Sequence, residues 1–152
     1  MAATELVIRR AEPAELDVLG ALWFRSARAA HDYLPALQAL TEPEAVRIFR
    51  GFAADLELWV ATRDGVIVGL LGLEDDCIDR LYVAPSVQGV GVGTLLLEHA
   101  KALRPGGLHL FTHQKHAAAR TFYERRGFRP TRFGISPAPE SEPDVTYVWT
   151  GR

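Results

Sequence analysis

A mixed α/β sheet flanked by helices is the fold class that the sequence predicts, with elements in the order β-α-α-β-β-β-α-β-α-β-β. Three observations predict it. Short alternating or β-branched apolar runs lie between turn signals, longer stretches carry apolar residues at helical spacing, and the two kinds interleave along the chain. At 152 residues, with 48% hydrophobic and 24% charged side chains, the chain has the length of one ordinary domain, residues 1–152, with a sizeable core. That composition excludes disordered and fibrous classes.

Residues 6–10 alternate apolar and polar as an edge strand does, and from Pro13 onward Leu16, Leu19, Leu22 and Trp23 fall on one helical face. This helix is expected to fray near His31, because Leu34 precedes Pro35 and the residue before a proline avoids the helical region. Thr41-Glu42-Pro43-Glu44 then has the form of a capping box with proline in the first turn. Val46, Phe49 and Phe52 or Ala53 continue it as a second helix.

Residues 58–62 and 66–73 are apolar, β-branched runs joined by Asp64-Gly65, a strong hairpin signal. After the acidic turn Glu74-Asp75-Asp76, residues 77–83 make a third strand, which Ala84-Pro85 ends. Val92, Leu95, Leu96, His99 and Leu103 trace a helix stopped by Pro105-Gly106-Gly107. A short buried strand over 108–112 follows. The alanine-rich stretch 117–126 then reads as a helix with Arg125 and Arg126 in its last turn and Gly127 as cap. Residues 128–133 and 145–149 close the sheet as a pair, separated by a surface loop over 136–144.

Charge and cysteine content narrow the function. Seventeen Lys and Arg against nineteen Asp and Glu give a net charge of −2 with no basic block, so nucleic acid is not an expected partner. Cys77 is the single cysteine, which excludes an internal disulfide and a multi-cysteine zinc site; no metal is expected, and a reducing, cytoplasmic setting is. Neither a signal-peptide core nor a membrane-length apolar span occurs in the sequence, so no membrane association is expected.

The most informative stretch is VAPSVQGVGVGTLLL, residues 83–97, where a strand ends, three glycines alternate and an apolar helix begins. Gly89, Gly91 and Gly93 can turn their amides toward an anion at the helix's positive end, and no carboxylate between residues 84 and 97 opposes one. A dinucleotide fingerprint fails because Thr94 stands where its last glycine belongs and no acidic residue ends the next strand. A triphosphate loop fails because Gly93-Thr94 lacks its lysine.

The remaining pattern, Gln88-x-x-Gly91-x-Gly93 after Leu81-Tyr82-Val83, resembles the acetyl-CoA loop of the GNAT acetyltransferase superfamily. The stretch AAARTFYERRGF, residues 117–128, resembles that family's later motif, and the element order is similar to the GNAT topology over nearly the whole chain. Leu34-Pro35 and Glu142-Pro143-Asp144 also resemble segments of bacterial members. The resemblance implies a mixed, mostly antiparallel sheet and an N-acetyltransferase that moves an acetyl group from acetyl-CoA to a primary amine of a small molecule or protein. It implies direct attack in a ternary complex.

On that resemblance, the diphosphate contacts Gln88, Gly89, Val90, Gly91, Val92, Gly93 and Thr94, and the pantetheine arm lies along Leu81, Tyr82 and Val83. Tyr123 matches the family tyrosine that protonates the departing thiolate; a phenol suits that role. For the base, Asp79 is the first candidate, taken to share a strand face with Leu81 and Val83, and Glu74 is the runner-up. His116 stands where many relatives carry an asparagine, and so replaces its hydrogen bond or acts as a base. Trp23, Phe24, His31 and Tyr33 lie in the region that walls the acceptor site, although Trp23 also suits the core.

Val90 departs from the basic residue common at its position, which leaves phosphate binding to backbone amides. Cys77 has no neighbouring base in sequence and is expected to be inert. The alternatives are a non-catalytic acyl-CoA-binding or sensing module and, last, a scaffolding protein with an aromatic partner surface. The closing edge strand makes a homodimer possible.

Overall fold

The computed structural model describes residues 5–152 and contains one seven-stranded sheet of order β1-β2-β3-β4-β5-β7-β6. The strands are β1 (Leu6–Arg10), β2 (Glu57–Arg63), β3 (Val66–Glu74), β4 (Cys77–Val83), β5 (Leu108–His113), β6 (Arg129–Ile135) and β7 (Pro143–Trp149). The helices are α1 (Leu16–Ala30), α2 (Pro35–Gln38), α3 (Glu42–Ala53), α4 (Val92–Leu103) and α5 (Ala117–Glu124). Every neighbouring pair is antiparallel except β4 and β5. No described helix is long and apolar enough to cross a membrane.

The local signals act where the sequence puts them. Asp64 and Gly65 take φ of 52° and 83°, which turns β2 into β3. The capping box forms in both directions, Glu44 N–H to Thr41 Oγ1 and Thr41 N–H to Glu44 Oε1. A one-turn helix, α2, exceeds the expected pair of helices before β2. Leu34 is extended, as a residue before proline must be, but Pro35 then starts a new turn at the position where its missing N–H is harmless. α5 ends at Glu124 rather than Arg126, because Gly127 at φ 92° turns the chain and Phe128 N–H bonds back to Tyr123 O.

Two cores lie on opposite faces of the sheet. Leu19, Trp23, Phe24, Phe49, Val60 and Leu70 pack α1 and α3 onto one face. Leu96, Leu97, Leu110, Phe128, Val145 and Tyr147 pack α4 and the region around α5 onto the other. Each large side chain so buried contributes about 1.5–3 kcal/mol.

Two irregularities shape the centre. β4 and β5 share one register pair, Cys77 with His109, so the parallel strands part toward their C-terminal ends and leave a wedge between Val83 and His113. In β4 the register against β3 skips Asp79, with Ile78 opposite Leu73 and Arg80 opposite Gly72. This bulge reverses the alternation of the strand. Ile78, Leu81 and Val83 consequently face the α4 core, whereas Tyr82 packs against the α1 and α3 core and Arg80 lies over the Phe52 ring.

Candidate functional site

The glycine segment begins where β4 ends. Gly89 and Gly91 have φ of 86° and 91°, and Gly91 is the N-cap of α4. An added Cβ at either would meet nothing within 4 Å, so these positions need glycine for conformation and not for space. The first helical hydrogen bond here is Leu95 N–H to Gly91 O, which leaves the amides of Val92, Gly93 and Thr94 without helical acceptors. Those amides and the helix dipole form an anion-binding end. Gly93 corrects the expectation of three equivalent glycines: it is helical, and its Cα faces the Phe122 ring, which an added Cβ would meet at 3.5 Å. Val92 is buried in the core, so only its backbone is available, and Gln88 reaches back to Val83 O.

Arg126 supplies the charge that Val90 lacks. Its guanidinium stacks 3.9 Å from the Phe122 ring centroid and donates to Thr94 Oγ1 from Nε at 3.2 Å and Nη2 at 2.9 Å. Its carbonyl accepts from the buried Lys101 ammonium, which ties α4 to the end of α5. A groove of about 460 Å³ lined by Ala117, Ala118, Thr121, Phe122, Arg125 and Arg126 runs along α5 beside this cation. Sequence reasoning read Arg126 as a helix-end charge only; its approach to Thr94, 32 residues away, depends on how α5 packs on α4.

Tyr123 is buried, with its ring edge-on to Phe122 and Phe128 and tilted against Tyr147. Burial, and after it the neighbouring Tyr82 phenol, pushes its ionisation well above the usual range, so it holds its proton at any physiological pH. Its hydroxyl has no hydrogen-bond partner among the described residues. Cys77 is pushed up to about 11 by burial and then by Asp79 and other acids, which makes its thiol a poor nucleophile.

The opposite side of the wedge holds a cluster. His31 Nδ1 lies 3.2 Å from the Tyr33 hydroxyl, which lies 2.7 Å from His113 Nδ1; His113 Nε2 lies 2.9 Å from Glu140 Oε2. The His31 ring is 4.9 Å from that of His113 and 5.0 Å from that of His116. Burial, followed by His116 and His113, pulls His31 down to about 4, and burial followed by Glu142 and Glu140 pushes Tyr33 up to about 12. His116 is lowered mainly by burial, and its Nδ1 accepts the Ala119 N–H as the cap of α5. That bond occupies the lone pair that a base would use. Ser26 Oγ donates to Val83 O and clips α1 to the end of β4, which brings the His31 segment over the wedge.

The structure therefore brings His31, Tyr33 and His116 together and adds His113 and Glu140, which the sequence reading did not single out. Trp23 and Phe24 are corrected: both are buried in the α1 and α3 core, Trp23 against Phe49 and Phe52, and do not line the wedge. Asp79 does not share a face with Leu81 and Val83, because it is the bulged residue, and its carboxylate pairs with Arg80 at 3.2 Å. Glu74 sits at the closed end of the wedge, where Asp76 pairs with His109, about 20 Å of strand from Val83.

Comparison with known proteins agrees with this geometry. A family model described as an acetyltransferase (GNAT) domain matches residues 54–130. The chain is 36% identical over 126 residues to the peptidyl-lysine N-acetyltransferase YjaB of Salmonella typhimurium, covering 82% of this chain and 83% of that protein. Its counterpart in Escherichia coli is 37% identical, with 82% of each covered. The solution structure of apo-form YjaB from Escherichia coli superposes with a TM-score of 0.81 at 31% identity, covering 97% of this chain and 99% of that one. The PaiA N-acetyltransferase of Thermoplasma acidophilum, solved with coenzyme A, shares the fold with a TM-score of 0.71 at 16% identity over 96% of this chain and 99% of that one.

Proposed function

The chain belongs to the GNAT acetyltransferase family and is an N-acetyltransferase, and from that premise we propose that its donor is acetyl-CoA and its acceptor the side-chain amine of a lysine in a peptide or protein. The observation that carries this is the wedge itself, with a cationic, amide-rich end on one side and an acidic, histidine-lined mouth on the other. The relatives at 36% and 37% identity, both peptidyl-lysine N-acetyltransferases, support the lysine.

The residues at the first end fit the donor. Free amides at Val92, Gly93 and Thr94 suit a diphosphate, Arg126 adds a positive charge, and the edge of β4 beside Leu81, where β5 has parted from it, suits an amide-containing arm. Acetyl-CoA supplies the activated acetyl group. Tyr123 holds the proton that the departing thiolate needs. Glu140 and Asp32, both exposed, favour a cationic amine near the mouth. The unreactive Cys77 thiol favours direct attack by the amine over an acetyl-enzyme.

Calorimetric titration with acetyl-CoA, coenzyme A and NADH, followed by a lysine peptide assay for thiol release, tests this reading. Binding of acetyl-CoA and coenzyme A but not NADH, with thiol released only when peptide is present, is expected. Folded protein that binds neither acyl carrier overturns the donor, and thiol release with small amines alone overturns the lysine.

A further inference from the structure

The hydrogen-bond chain at the wedge mouth leads from a titratable ring to a carboxylate, and its partners determine where each proton sits. Glu140 as a carboxylate only accepts, so Nε2 of His113 carries hydrogen. A neutral His113 then has a bare Nδ1, which accepts the Tyr33 O–H at 2.7 Å. The Tyr33 oxygen in turn accepts Nδ1–H of His31 at 3.2 Å, which leaves Nε2 of His31 as a bare lone pair. That nitrogen has no hydrogen-bond partner among the described residues and is not one of the fully buried unpartnered atoms, so it keeps some exposure. The cluster is not arranged as a metal site, since no group of three or more His, Cys, Asp and Glu among the described residues is placed to hold an ion.

We propose that His31 Nε2 is the base that takes the proton from the acceptor amine, and that Tyr33 and His113 carry the resulting positive charge to Glu140. This rests on the acetyl transfer to lysine proposed above. The step balances as three proton transfers. The amine N–H bond breaks as His31 Nε2–H forms, His31 Nδ1–H passes to the Tyr33 oxygen, and the original Tyr33 proton passes to His113 Nδ1. Nothing is oxidised or reduced. The product is an imidazolium at His113 beside a carboxylate, with His31 and Tyr33 neutral. Burial and the two neighbouring imidazoles make His31 alone a weak base, at about 4, and the chain removes that handicap because the charge does not stay there.

Titratable and charged groups surround His113 from several elements. Tyr33 and His31 face it from the α1–α2 segment and Glu140 from the β6–β7 loop, His116 lies near it at the start of α5 against His31, Lys115 lies over the Tyr33 ring, and Asp144 is its register partner on β7. Lys115 pairs with Glu142 at 3.2 Å, so Glu140 remains the partner of His113. Tyr33 and His113 are positioning residues here and His31 the catalytic one.

The test uses the full chain with acetyl-CoA and a lysine peptide, comparing wild type with His113→Gln, Tyr33→Phe and Glu140→Gln. For His113→Gln and Tyr33→Phe, kcat at pH 7 should fall about 100-fold with acetyl-CoA affinity unchanged. The defect should shrink steadily toward pH 10, as a growing share of the lysine amine, with its ordinary pKa of about 10.4, arrives neutral. Glu140→Gln should show a smaller defect with the same pH trend. Imidazole 15N NMR of the wild type should give His31 as the Nδ1–H tautomer and His113 and His116 as Nε2–H. A pH-independent defect, a Tyr33→Phe enzyme as fast as wild type, or His31 as the Nε2–H tautomer overturns the relay. Wild type that binds acetyl-CoA but acetylates no lysine peptide overturns the acceptor, while the expected His31 tautomer in the same sample still supports the chain of protons.

Discussion

The hydroxyl of Tyr33 lies 2.7 Å from Nδ1 of His113, although the two residues are 80 positions apart. One follows the first long helix and the other ends the strand that parts from β4, so their hydrogen bond spans the mouth of the wedge from side to side. Ser26, bonded to the carbonyl of Val83, holds the same helix to the opposite strand.

Arg126→Ala should weaken acetyl-CoA binding about tenfold or more, because one charge-assisted contact is worth roughly 1.5–3 kcal/mol. The loss should be greatest at low salt, where screening is least. Calorimetry at two ionic strengths reads it, with Arg129→Ala on the exposed edge strand as the variant that should change nothing.

Tyr123→Phe should lower kcat by about 10²- to 10⁴-fold, the usual worth of a general acid, and leave acetyl-CoA affinity within twofold of wild type. The ring is packed against Phe122, Phe128 and Tyr147, and phenylalanine preserves those contacts. Undiminished turnover would remove Tyr123 from the reaction.

Gly91→Ala and Gly93→Ala should behave oppositely. At Gly91 a φ of 91° forces alanine into the left-handed region, at a cost of about 1–2 kcal/mol, and misaims the amides at the start of α4. Gly93 is helical and has room for a Cβ 3.5 Å from Phe122, so alanine there should stabilise the fold by up to about 1 kcal/mol. Urea denaturation of both variants measures the contrast.

Glu15 should make stability depend on acid. The Arg9 guanidinium, at 2.7 Å, and then the Glu12 amide hold its carboxyl down to about 2. A group depressed in the folded state stabilises above its ordinary value of 4.5 and loses that contribution as pH falls toward about 2. Urea midpoints between pH 6 and pH 2 should therefore drop more steeply for wild type than for Glu15→Gln; parallel slopes would remove the pair from the acid response.

Much of the architecture was legible because its signals are local. Thr41 and Glu44 cap α3 through groups three residues apart, and Asp64-Gly65 turns β2 into β3 within one turn's length. α2 escaped because a proline that ends one helix also begins another, and a single turn has too few residues to show a period. In the site, motif spacing points to Gln88 to Thr94 and Tyr123 as candidates. Asp79 was misjudged because a bulge reverses the alternation on which strand faces are read.

The sequence by itself determined the order of the strands and longer helices, the turn glycines Gly89 and Gly91 before α4 and the family, since each is written in neighbouring residues or in motifs of fixed spacing. Only the tertiary structure decided that Arg126 stands beside Thr94, that Trp23 and Phe24 belong to the core, and that His31, Tyr33, His113 and Glu140 form one chain. These groups come from different elements, and directed hydrogen bonds a few ångströms long depend on how helices and strands pack, which no single stretch of sequence encodes.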